Sequence, residues 1–246
     1  MKDIQTIPFI NLLLAFIPVV IVIVIVWRWK IGYKNSIYAV IRMLLQLLLV
    51  GYLLTFIFNA NQSWIVLGVL SIMLLSASWI ALRTIKISRK ELYLKCFGAI
   101  IIGGGLILVL ITQGVLNLKP WYLPSYMIPL AGMIFANAMN SISLAGERLQ
   151  AELDRDLPYE QARVIALQAA LIPITNSLFA VGLVSLPGMM TGQILSGVSP
   201  FIAARYQIMV MCMMFGSAGI SSALFLILTK NNFVGRFEKS SDLSIT

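Results

Sequence analysis

Five of the nine carboxylates in this 246-residue chain fall between Glu147 and Arg163, a stretch with eight charges in 17 residues. They are Glu147, Glu152, Asp154, Asp156 and Glu160, interleaved with Arg148, Arg155 and Arg163. Leu149, Leu153 and Leu157 recur every four residues, so a helix here carries an apolar ridge between charged flanks. Asp156-Leu157-Pro158 with Glu160 reads as a helix start, with Asp156 or Leu157 at the cap and Pro158 in the first turn. Two readings fit a helical elbow of this kind: a solvated loop of mixed charge, or a docking element for a cytoplasmic partner.

Two further constellations are uncharged. Met133, Asn137, Asn140 and Ser141 follow i, i+4, i+7, i+8 spacing and share one helix face, with Asn176 available from a later segment. Amides within a membrane span either face a solute path or hydrogen-bond one helix to another. Leu186 to Gly197 holds three glycines and one proline, and carries Met189, Met190 and Gln193. Irregular backbone survives at membrane depth only where protein or water satisfies it, so this segment is a re-entrant turn or an ordinary outer loop.

Other chemistries are excluded by what is missing. The chain has no histidine, which removes His bases, Ser-His and Cys-His dyads and HExxH zinc sites. Its two cysteines, Cys96 and Cys212, lack metal-type spacing and read as packed thiols. Met209, Met211, Met213 and Met214 point around a helix rather than at one ion, which suits adaptable packing. Gly103-Gly104-Gly105 lacks the following Gly-Lys-Ser/Thr of a phosphate loop, so no ATP site is expected in this chain. Catalytic residues are therefore expected to be none. The spans hold few hard oxygen ligands, and no all-protein site for a naked ferric ion is expected.

Positioning these residues requires a membrane. The chain is 60% apolar and 11% charged, far from the balance of a water-soluble domain. Seven apolar runs approach span length: residues 7–27, 37–58, 64–82, 96–116, 126–145, 164–186 and 201–228. The expected fold is therefore all-α and polytopic, a single domain of about seven transmembrane helices, with 147–163 as a charged segment between spans five and six. Ala99 with Gly103, and Gly216 to Ala223, are small-residue surfaces for close helix packing.

The 18 basic residues alternate between the ends of these spans: fifteen fall on one side, and only Lys2, Lys119 and Arg205 on the other. The positive-inside rule then places the N-terminus outside and the C-terminus in the cytoplasm. The net charge of +9 is a topology signal and an attraction to membrane lipid, with no nucleic acid implied.

Particular stretches resemble the FetB-type ABC transporter permeases. They are Ile128 to Ile134, Asn137 to Leu144, Ala169 to Pro173 with Asn176-Ser177, and most specifically Val181 to Leu195, ending with Tyr206-Gln207-Ile208. The likeness is dense from Ile128 to Met209 and elsewhere rests on hydropathy and span count. Gly146 departs from it, standing where relatives tend to carry a larger residue before the Glu-Arg pair.

The resemblance implies a permease subunit of a bacterial iron exporter in the inner (plasma) membrane, with plant relatives linked to aluminium tolerance. It implies a homodimer working with a separate cytoplasmic ATPase that binds the ATP and Mg. The ATPase would dock on the charged segment, making Glu152, Asp154, Arg155, Asp156, Glu160 and Arg163 the expected coupling surface. The expected path comprises Met133, Asn137, Asn140, Ser141 and Asn176, capped by Met189, Met190 and Gln193. The rival reading, a channel or secondary transporter independent of any ATPase, explains the spans but leaves the acidic cluster without a role.

Overall fold

The computed structural model describes residues 7–59 and 62–243. Lys2, and Ala60 and Asn61 between spans two and three, lie outside them. The described chain is helical almost throughout, and seven helical stretches are long and apolar enough to cross a membrane. By its contacts the chain forms two units, Met1–Ala60 with Leu195–Gly197, and Asn61–Ile194 with Val198–Thr246.

The first unit is a helical hairpin. The first run divides into α1 (Phe9–Leu14) and α2 (Ile17–Arg28), and α3 (Tyr33–Asn59) packs back on α2. Pro18 in the first turn of α2 explains the division, because proline starts a helix readily but cannot donate within one. The turn between α2 and α3 uses left-handed backbone at Lys30 and at Gly32, where φ is +70°. No described side chain between Ile7 and Phe58 is buried, a pattern suited to a solvent of acyl chains.

The second unit is built around α7 (Pro124–Leu153), which packs against α4 (Ser63–Ala81), α8 (Tyr159–Ala180) and α10 (Pro200–Leu243). Ala131, Ala138 and Ala145 recur every seven residues along α7 and are completely buried. Such small side chains let neighbouring backbones approach where lipid supplies no hydrophobic drive. Ala162, Ala166, Ala170 and Ile174 form the inward stripe of α8 at four-residue spacing. Gly146 fits the same logic, since a Cβ there would overlap the Ile85 side chain.

Span four is less regular. It runs as α5 (Arg89–Ile100), a π-helical stretch at Ile101–Gly105, α6 (Leu106–Val109) and a second π-helical stretch at Leu110–Val115. Gly103 in the first stretch lies so close to α10 that a Cβ would come within 2.7 Å of the Ser221 backbone nitrogen. The two small-residue surfaces read from the sequence therefore meet each other.

The charged segment takes a different form from an elbow. Residues 147–153 continue α7, and α8 already starts at Tyr159, so only Asp154 to Pro158 turn between them. Asp156 supplies the left-handed residue of that turn, at φ +61°. Aspartate tolerates this conformation better than most side chains, and the amides of Asp156 and Leu157 bond back to the Leu153 and Glu152 carbonyls. Span six also ends early, at Ala180. The chain then makes a tight turn through Gly182 (φ +84°) before the short α9 (Gly188–Leu195).

Candidate functional site: the charged end and the polar face

The charged end gathers turns that are distant in sequence. The backbone N–H of Lys86 donates to Gln150 Oε1 at 3.0 Å, and Lys86 Nζ stands 3.5 Å from Asp154 Oδ2. On the neighbouring helices, Lys230 Nζ lies 2.8 Å from Glu160 Oε1, and Arg163 Nη2 lies 2.6 Å from Glu160 Oε2. The Tyr159 hydroxyl donates to the Leu226 carbonyl, with the Lys230 ammonium 5.5 Å above the Tyr159 ring. Lys95 Nζ donates to Asn232 Oδ1 at 2.5 Å. Basic residues following spans three, five and seven thus share one end of the second unit. At the other end, Lys119 with Leu118 and Asn117 lines one recess with Tyr126 and Tyr206.

Of the six expected coupling residues, the structure separates an inner set from an outer one. Glu152 is 3% exposed and pairs with Arg148 Nη2 at 2.5 Å and Arg155 Nη1 at 3.5 Å. It occupies the position after Ala131, Ala138 and Ala145 in the seven-residue register, which is why it points inward. Arg148 carries a buried Nε with no hydrogen-bond partner, so Glu152 meets its guanidinium at Nη2 and leaves Nε unserved. Glu160 and Arg163 are occupied with each other and with Lys230. Asp154, Arg155 and Asp156 are exposed at the tip of the turn, and Glu160 is exposed beside it while it holds its two ion pairs. Exposed ion pairs such as Lys86–Asp154 hold little energy and can be exchanged for a partner's.

The polar face of α7 also divides. Asn137 Nδ2 donates to the Met214 carbonyl at 2.5 Å and lies 3.5 Å from Ser217 Oγ, tying α7 to α10. Ser141 is buried, Met133 is half-buried, and Asn140 is exposed. Asn176 is exposed on α8. On α9, Met189, Met190 and Gln193 are half-buried, and the Gln193 Oε1 atom is buried without a hydrogen-bond partner.

Met190 lines a cavity of about 370 Å³ whose other walls come from the end of α8 and from α10. Its polar member is Gln207, and Met211 and Cys212 also face it. Sequence reasoning did not assign Gln207 to the site. The available signal was a lone amide in span seven, seven residues after Pro200. Among the described residues no group of three His, Cys, Asp or Glu is placed to hold a metal ion.

Residues 9–163 and 158–234 match the model of an uncharacterised protein family, UPF0014. The chain is 35% identical to the Escherichia coli protein named "Probable iron export permease protein FetB" over 91% of each chain. It is 42% identical to a UPF0014 membrane protein of Synechocystis, over 69% of this chain and 71% of that one. The Arabidopsis thaliana protein ALUMINUM SENSITIVE 3 is 32% identical over 85% of this chain and 81% of its own. No solved structure matches the chain.

Proposed function

Because this chain is a multi-pass membrane protein that belongs to the UPF0014 family, we infer that it is the permease subunit of an ABC transporter that exports iron or a related metal species. The observation that carries this reading is the match to the FetB permease along nine-tenths of both chains. ATP and Mg would be bound by a separate cytoplasmic ATPase, and two copies of the permease would work with two of the ATPase in the inner (plasma) membrane.

The coupling surface in this reading is the tip Asp154, Arg155 and Asp156. Glu152 braces it from within, and Glu160 and Arg163 connect it to α10 through Lys230. A push on the turn then moves α7 and α8 together with α10. Asn140, Met133 and Asn176 form the polar side of the path, Ser141 and Asn137 support it, and Met189, Met190 and Gln193 lie towards its outer end. In this reading the charged end faces the cytoplasm, which the distribution of lysine and arginine supports.

The reading is tested by purifying the chain with whatever ABC ATPase is encoded beside it and measuring hydrolysis. A stable complex whose ATPase rate rises with an iron species is expected. Hydrolysis that is indifferent to every iron species would remove the substrate assignment. Failure of any ATPase to co-purify would remove the ABC assignment.

A further inference from the structure

The turn between α2 and α3 gathers three cations within seven residues, Arg28, Lys30 and Lys34. They line one recess of about 690 Å³ together with Trp27, Tyr33 and Asn35. That volume lies within the range of ligand sites, roughly 300–1,000 Å³. All three cations are exposed, and none joins an ion pair among the described residues. The sequence has no carboxylate between Asp3 and Glu91, so neither α2 nor α3 supplies a counter-charge. The backbone that shapes the recess is already closed. The Lys30 N–H donates to the Trp27 carbonyl at 3.1 Å, Ile31 to Val26 at 3.0 Å and Asn35 to Gly32 at 3.0 Å.

The recess lies where two spanning stretches, Ile10–Arg28 and Tyr33–Phe58, end and turn into each other. Trp27 and Tyr33 are the amphipathic rings that settle where hydrocarbon gives way to headgroups. Lysine and arginine lay apolar stems along such a boundary and keep their charges in water. The Arg28 guanidinium matches two oxygens of one phosphate, and the two ammonium groups add charge beside it. A soluble anion would use these cations alone. A phospholipid would also use the aromatic sides and the unburied apolar flanks of α2 and α3. We propose that this recess holds the headgroup of an anionic phospholipid, with its acyl chains lying along α2 and α3. The assignment does not rest on the iron-export reading above.

Phosphatidylglycerol and phosphatidylcholine with identical acyl chains are titrated onto the purified full chain, and bound lipids are counted by native mass spectrometry. The first phosphatidylglycerol is expected to bind about tenfold more tightly or better. One lysine or arginine near a membrane surface is worth about fivefold, and more than one acts on this phosphate. Lys30→Gln with Lys34→Gln should bring phosphatidylglycerol down to the level of phosphatidylcholine. Arg83→Gln with Lys90→Gln, which removes two exposed cations from the second unit, should leave the preference intact. In the unmodified chain, phosphatidylglycerol with a photoreactive headgroup should crosslink within residues 27–35, which locates the site without any variant. Equal affinity for the two lipids, or crosslinking that falls only elsewhere, would overturn the proposal. Equal loss in the two double variants would overturn it as well, by showing a diffuse attraction of charge. So would displacement by soluble glycerophosphoglycerol at concentrations similar to the lipid, because the acyl flanks would then contribute nothing. Neither ATPase nor iron is present in these measurements, so their outcome is separate from that of the transport reading.

Discussion

Asn137 and Asn140 lie on one face of α7 by residue spacing, yet they meet different surroundings. Asn137 gives its amide to the Met214 carbonyl on α10, whereas Asn140 is exposed. Asn137→Leu should therefore lower stability in a bilayer by about 0.6–1.7 kcal/mol, the range for one interhelical bond, and leave transport per folded molecule intact. Asn140→Leu should leave the unfolding midpoint nearly unchanged and cut transport. Thermal unfolding and transport assays on the same preparations separate the two roles. The sequence pattern correctly grouped these residues on one face. It could not divide them, because the division depends on where α10 lies, and that is set by contacts across 77 residues of chain.

At the scale of elements, the end of α7 shows how periodicity can be legible while its consequence is missed. The density of charge between Glu147 and Arg163 suggests a solvated segment, but the register of Ala131, Ala138 and Ala145 continues to Glu152 and turns it inward. Glu152→Ala strands Arg148 beside its own unpartnered Nε, and should cost about 2–3 kcal/mol, below the 3–5 of a fully buried pair because Arg148 is partly exposed. Asp154→Asn with Asp156→Asn is expected to leave thermal stability within about 0.5 kcal/mol. Asparagine also tolerates the left-handed backbone at position 156. The same double variant should weaken co-purification with the ATPase or uncouple hydrolysis from transport. Unchanged assembly and coupling would show the turn to be solvated and idle.

The packing of span four against α10 makes a second prediction at this scale. Gly103→Ala places a methyl within 2.7 Å of the Ser221 backbone nitrogen, which cannot rotate away as a side chain could. A loss of about 1–3 kcal/mol is expected, read as a lower unfolding midpoint, while Gly98→Ala on the same span, with open space around it, serves as the control. The small-residue stretches were visible in the sequence. The π-helical turns around Gly103 were not, because apolar content and residue spacing do not mark where a helix widens.

For the molecule as a whole, composition and span length were enough to establish an all-α membrane protein with seven spanning helices. The ends of the spans were less legible: span five continues into the charged segment, and span six stops six residues before Leu186. Span five is prolonged where Gln150 and Asp154 are satisfied by the Lys86 turn, and span six is cut short by a backbone turn through Gly182; a hydropathy window registers neither. The sidedness of the basic residues predicts that Ser88→Cys labels only from the cytoplasmic side and Ser199→Cys only from outside. Labelling of Ser88→Cys in intact cells by an impermeant maleimide would reverse the orientation and place the Asp154–Asp156 turn away from any cytoplasmic ATPase.

On the function proposed above, this chain moves iron only when a separate ATPase drives it. The most direct measurement is iron transport by proteoliposomes holding the chain with and without its ATPase. Outward-facing ATPase sites are selected by external MgATP, so that export appears as accumulation in the lumen. Accumulation against a gradient is expected to need ATPase, ATP and Mg together, and to fall to the level of empty liposomes when any one is absent. Iron passage by the chain alone, running down its gradient and unaffected by ATP, would contradict it.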